Sequence, residues 1–177
     1  MELNNKLPGL IMKLAGILVL TFMIGGCSIS YKLNGSSIDY SKIKAISIAD
    51  FPNVAELVYP PFSAHLSDKI RDVFTTQTRL QVLRKGGDLH LEGSIVGYQI
   101  SPMAVGANSN SLATESKLTV TVNVRFTNDK NPEEDFEKKF VSYRIFNKNL
   151  SEEQEELMKQ ITTEIVDNIY NETVAKW

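Results

Sequence analysis

One cysteine and two histidines in 177 residues leave little material for catalysis or metal binding. Cys27 stands alone, so no intramolecular disulfide can form. Neither His65 nor His90 lies in a nucleophile motif, which disfavours a Ser-His-Asp or Cys-His site. Phosphate-cradling loops are missing as well, because Gly86-Gly87 and Gly93-x-x-x-Gly97 lack the lysine and the flanking pattern they need. Positive charge is not in excess: 19 Lys and Arg face 21 Asp and Glu, for a net charge of −2. That balance argues against a nucleic-acid binder, which needs a basic face. No apolar run reaches the ~20 residues of a membrane-spanning helix. An enzyme is not expected.

What is present starts near the N-terminus. Lys6 and Lys13 precede an apolar run from Leu14 to Ile24, broken only by Gly16 and Thr21, and the run ends in Gly25, Gly26 and Cys27. A charged n-region, an apolar h-region and a small-residue cleavage site, in that order, make a cleaved export signal. The segment Ile24-Gly25-Gly26-Cys27 resembles the bacterial lipobox. That resemblance implies removal of residues 1–26 and covalent acyl and diacylglyceryl groups, palmitate among them, on Cys27 as the first mature residue. The plain alternative is an ordinary signal peptide with a chance cysteine, or a buried core cysteine. Each buried acyl methylene contributes about 0.8 kcal/mol and a single chain holds only marginally, so the multiple chains usual for lipoproteins give a stable anchor. No acidic residue lies between Cys27 and Asp39, which favours a periplasm-facing lipoprotein of the outer membrane.

Residues 27–41 read as a lipidated tether, rich in Gly, Ser, Asn and Tyr and without clear periodicity. Residues 42–177 form one domain by length. A first strand is expected from Ile43 to Phe51, stopped by Pro52-Asn53. After Pro60-Pro61, the spacing of Phe62, Leu66, Ile70, Val73 and Phe74 predicts an amphipathic helix of about four turns. A short strand, Leu80 to Arg84, ends at Gly86-Gly87. The next, Asp88 to Ile100, sets Leu89, Leu91 and Ile95 against His90, Glu92, Ser94 and Tyr98, with Gly93 and Gly97 in the apolar register as signs of a bulge or a close backbone. Leu118 to Thr127 alternates strictly: Leu118, Val120, Val122, Val124 and Phe126 face the core, the intervening residues the solvent. A turn at Asn128 to Pro132 leads to an antiparallel strand from Phe136 to Phe146, whose register stays open. Ser151 to Gln154 has capping-box form and opens a C-terminal helix with Leu157, Ile161, Ile165 and Ile169 in one row, widened by Met158, Val166 and Val174. The expected fold is α+β: a two-layer sandwich of a four- to five-stranded mixed, mostly antiparallel sheet with two amphipathic helices on one face. The first strand, helix and second strand suit a right-handed crossover with parallel pairing.

Other clusters have bland readings beside the functional ones. His90 and Glu92 share a strand face, but two ligands do not make a metal site, so a solvated polar pair is the better reading. The acids from Glu152 to Glu156 suit the positive end of a helix dipole as well as any cation. Basic residues gather at Lys69, Arg71, Arg79, Arg84 and Lys85, and again at Lys117, Arg125, Lys138, Lys139 and Arg144. Converging, they would meet the phosphates of an anionic lipid; scattered, they are surface charge. The uncharged connection from Ser101 to Thr114 exceeds about 12 residues, a length usual for functional or mobile loops.

Taken together, the lipobox Cys27, Ile46 to Asn53, Gly87 to Leu89 with Glu92 to Tyr98, Leu118 to Thr127, and Phe136-Glu137 with Phe140 and the acidic helix closing at Trp177 resemble the LPS-assembly lipoproteins of the LptE family. None of these motifs is catalytic. The resemblance implies an LptD-like outer-membrane β-barrel as partner, which the lipoprotein plugs and helps to assemble, and contact with lipopolysaccharide on its way to the cell surface. The polar strand face Thr119 to Thr127 suits the hydrated wall of a large barrel. The 101–114 connection would reach the barrel's outer end. The family's lipopolysaccharide-contacting residues do not align onto this chain; Arg125 and Lys117 are chosen from their place beside that face and that connection. The competing reading is a periplasm-facing scaffold for envelope proteins that binds no lipid.

Overall fold

Residues 38–57, 59–103, 115–147 and 149–175 are described by the computed structural model, and all belong to the unit Gly35–Trp177. Their order is β1 (Ala45–Ile48), α1 (Pro60–Gln77), β2 (Gln81–Leu83), β3 (Leu89–Met103), β4 (Glu115–Asn128), a 3-10 turn (Pro132–Glu134), β5 (Phe136–Phe146) and α2 (Leu150–Thr173). The strands form one sheet in the order β2-β1-β3-β4-β5. β1 runs parallel to β2 and β3, while β3, β4 and β5 pair antiparallel over most of their length. This is the expected α+β sandwich. Cys27, expected to carry the lipid, and residues 104–114 lie outside the described residues. Among the described residues no helix is long and apolar enough to cross a membrane.

Both helical stripes do what their spacing predicts. Phe62, Leu66, Ile70, Val73 and Phe74 of α1 are buried, as are Leu157, Met158, Ile161, Ile165, Val166 and Ile169 of α2. They meet the core face of β3 and β4, where Leu89, Leu91, Ile95, Val120, Val122, Val124 and Phe126 are all within 1 % of full burial. The helices also touch each other, with Phe74 edge-on to Tyr170 at 5.7 Å. Ile38 and Tyr40, within the stretch read as tether, pack against this core.

Four local expectations need correction, each for a physical reason. β1 is shorter than Ile43 to Phe51, because its ladder to β3 is interrupted where the chain bonds α1, Phe51 N–H donating to Ser67 Oγ at 3.0 Å and Ser63 Oγ to the Phe51 carbonyl at 2.6 Å, and resumes only as a bridge between Asn53 and Ile95. Tyr98 lies on the core face, not the polar one. A register shift between Ile95 and Gly97 makes Val96 an extra residue, and Tyr98 therefore pairs with Val120 and is 6 % exposed. Ser101, Pro102 and Met103 continue β3 instead of opening the connection. Finally, α2 begins one residue before the supposed capping box. Asn149 is the N-cap, its side chain accepting from the Ser151 N–H, and Gln154 instead donates to the buried Tyr98 hydroxyl at 2.8 Å.

Glycine is required where the notable turns and close approaches occur. Gly86 and Gly87 adopt φ of 74° and 135°, backbone that side chains strain to reach. At Gly93 a Cβ would run into the Asn123 carbonyl and come within 2.6 Å of Phe51 Cε1, so the Phe51 ring occupies the place a side chain would need.

Candidate functional site

With both helices on one side, the other face of β3, β4 and β5 carries no element among the described residues. Strand alternation decides what it displays. β4 contributes Lys117, Thr119, Thr121, Asn123, Arg125 and Thr127; opposite them on β5 stand Ile145, Tyr143, Val141, Lys139 and Glu137. Thus the centre is hydroxyl and amide, and one flank is apolar. Val141, Tyr143 and Ile145 are 54, 54 and 46 % exposed.

β5 is apolar on both faces, since Phe140 and Phe146 are buried toward the helices. The sequence expectation missed this second row. Its signal was present in Phe140 to Phe146, where apolar residues occupy both strand parities, a pattern that asks for cover on each side.

Arg125 and Lys117 both point to the open face, but the fold does not bring them together. Eight residues separate them along β4, roughly 27 Å at about 3.4 Å per residue. Arg125 sits 3.7 Å from Glu92 and is 60 % exposed. With Ser47, Arg84, Lys85 and His90 it lines a shallow depression of about 470 Å³. Lys117 lies at the other end, its ammonium 5.6 Å from the centre of the Tyr143 ring and its backbone opposite Ser101. Two separate contacts, not one headgroup clamp, are what this spacing can serve.

Most of the remaining basic residues are committed elsewhere. Arg71 binds Asp50 and Asp68, Arg84 reaches Asp50, Lys69 pairs with Asp72 and Arg79 lies over Tyr40. On the helix side of β5, Lys138 meets Glu172 and Arg144 meets Glu164 at 2.6 Å. Arg144 holds the Glu164 carboxyl below the usual range, helped by the Ser142 hydroxyl. These pairs tie β5 to α2 and leave Lys139 on the open face.

Tertiary structure does assemble a Ser-His-Asp line that no motif announced. Ser47 Oγ lies 2.7 Å from His90 Nδ1, and His90 Nε2 lies 3.1 Å from Asp129 Oδ2. An ionised Asp129 only accepts, so Nε2 carries a proton and the Ser47 hydroxyl donates to Nδ1 in neutral His90. Ser47 is nevertheless 8 % exposed within a strand paired on both sides, and its Oγ is 3.4 Å from the Leu89 carbonyl. A nucleophile has to be presented to substrate. The line instead ties β1, β3 and the end of β4 to one another. His90 thus bonds Ser47 and Asp129, while Glu92 on the same strand face pairs with Arg125.

The family model for lipopolysaccharide assembly, LptE, matches residues 43–173, which takes in all five strands and both helices. The chain belongs to the LptE family. No curated protein matches it. Among solved structures, a Xanthomonas campestris protein aligns with TM-score 0.54 and 11% identity over 72% of this chain and 81% of its own. Uncharacterised lipoprotein B of Nitrosomonas europaea aligns with TM-score 0.45 and 16% identity, covering 72% and 79%. A minor lipoprotein of Acinetobacter baumannii aligns with TM-score 0.44 and 13% identity, covering 77% and 99%. At these identities the Xanthomonas likeness is one of fold alone.

Proposed function

We propose that this LptE-family chain is a non-catalytic outer-membrane lipoprotein, acylated on Cys27, that faces the periplasm, plugs an LptD-type β-barrel, supports its assembly and assists delivery of lipopolysaccharide. The observation that carries the reading is the open face of β3, β4 and β5. A sandwich that the described residues cover on one side only, with threonine and asparagine along the other, matches the polar interior of a large barrel. Its helices would face away from that wall.

Lys117 and Arg125 are the residues assigned to lipopolysaccharide or barrel contact. Their separation suits contacts at two heights of a lumen, each a charge-assisted hydrogen bond to an anionic group. Lys117 would act opposite Ser101, near the end of β3.

The test is purification from detergent-solubilised outer membrane, with mass spectrometry of bound protein and lipid, together with photo-crosslinkers at Thr121 and Asn123 on the open face and at Asp167 on α2. A stoichiometric barrel, crosslinked from Thr121 and Asn123 and not from Asp167, supports the plug. A soluble envelope protein in its place would establish the scaffold instead. Charge reversal at both Lys117 and Arg125 should weaken lipopolysaccharide binding; unchanged binding removes both from the site.

A further inference from the structure

We infer that β5 is a self-pairing edge, through which two copies of this chain associate into an antiparallel, two-fold dimer centred on Tyr143. β5 ends the sheet, and among the described residues no strand pairs with its outer side. An edge of this length is a template for another strand unless charge or a bulge protects it. Lys138 and Lys139 guard its first half; from Phe140 to Phe146 the only charged residue is Arg144, which is turned toward Glu164 on α2.

The occupant follows from register. A partner strand must keep like faces together, because a slip of one residue would turn the apolar row away. In a self-pair centred on Tyr143, Val141 stands opposite Ile145 and Tyr143 opposite Tyr143, so each apolar side chain of the exposed row gains an apolar cross-strand neighbour. On the helix side Phe140 meets Phe146 and Arg144 meets Ser142. Centring on Ser142 would set Lys139 against Ile145 and Arg144 against Phe140. Centring on Arg144 would oppose two like charges, which destabilises a cross-strand pair. One register therefore satisfies both faces, and it is symmetric, as an isologous contact between identical chains must be. A single ribbon edge buries less than the roughly 1,200 Å² of a standard stable interface, so the dimer is weak and concentration-dependent.

This inference stands apart from the barrel reading, since a chain that met no barrel would still pair and a plug would still fit with the edge free. The test uses the full-length chain in detergent with Cys27→Ser, so that any introduced cysteine is the only thiol. Under mild oxidation Tyr143→Cys should give a disulfide-linked dimer, whereas Thr121→Cys, on the same face but inside the sheet, should not. Lys139→Cys should crosslink far less than Tyr143→Cys, because the register moves the two copies of residue 139 apart. In sedimentation, Val141→Glu should weaken dimerisation about tenfold or more, with circular dichroism confirming an unchanged fold at this exposed position. A wild-type chain monomeric at every concentration reached, or crosslinking no stronger at residue 143 than at residues 121 and 139, would overturn it.

Discussion

At the residue scale, two positions carry more of this protein than their size indicates. Gly93 leaves room for the Phe51 ring where β3 passes the chain entering α1. Replacing it with alanine should cost about 1–3 kcal/mol by overpacking, read as a lower urea midpoint; an unchanged midpoint would mean that Phe51 is free to move aside. Cys27 is the other, as the acylation site we propose. Cys27→Ala should abolish palmitate labelling and membrane retention, and a variant that still labels would refute acylation there. Cys27 and Gly93 were both singled out from sequence, one by its neighbours Gly25 and Gly26, the other by interrupting an apolar register. Tyr98 could not be read correctly, because the extra residue that turns it inward is a property of pairing with β4.

Among elements, α2 illustrates how a helix start is chosen. Ser151 to Gln154 has the composition of a capping box, yet Leu150 packs against the core and draws the helix back to an Asn149 cap. Asn149→Ala should then lower stability by about 1 kcal/mol, whereas Ser151→Ala should have a smaller effect; thermal melts of the two variants decide which residue is the cap. β5 is tied to α2 by Ser142, Arg144 and Glu164, and this network is pH-sensitive. Because the Glu164 carboxyl is held below its ordinary value in the fold, it contributes stability that is present above the unfolded value, near 4, and lost as pH falls through the folded one. The Lys44 backbone N–H, and then Lys130, act likewise on Asp88 where β1 meets β3. Melting temperature should therefore be flat above about pH 5 and fall below about pH 4. Glu164→Gln should shrink that fall; an unchanged acid slope would show that the pair contributes nothing to it.

For the whole molecule, the asymmetry between the two sheet faces is the main feature. One face is sealed by two helical stripes; the other is polar through β4 and apolar at the β5 edge. A partner filling the open face should protect β4 and β5 backbone amides from hydrogen exchange while leaving the outer faces of α1 and α2 unchanged, and protection confined to the helices would reverse the assignment of sides. Weak self-pairing at β5 would protect the edge strand alone, and only at high concentration.

Sequence by itself determined the class of fold, because hydrophobic periodicity is local: a period near two in residues 118–127 and rows of four in residues 157–169 force one-sided strands and helices that must stack. The expectation of export rests likewise on sequence order, the charged, apolar and small residues that end at Cys27. Only tertiary structure decided the rest. Whether Arg125 and Lys117 act together is a matter of distance along a strand, whether Ser47, His90 and Asp129 meet depends on β1 lying beside β3, and whether Val141, Tyr143 and Ile145 are covered depends on which side of the sheet the helices pack. Those are contacts between segments far apart in sequence, and no local pattern encodes them.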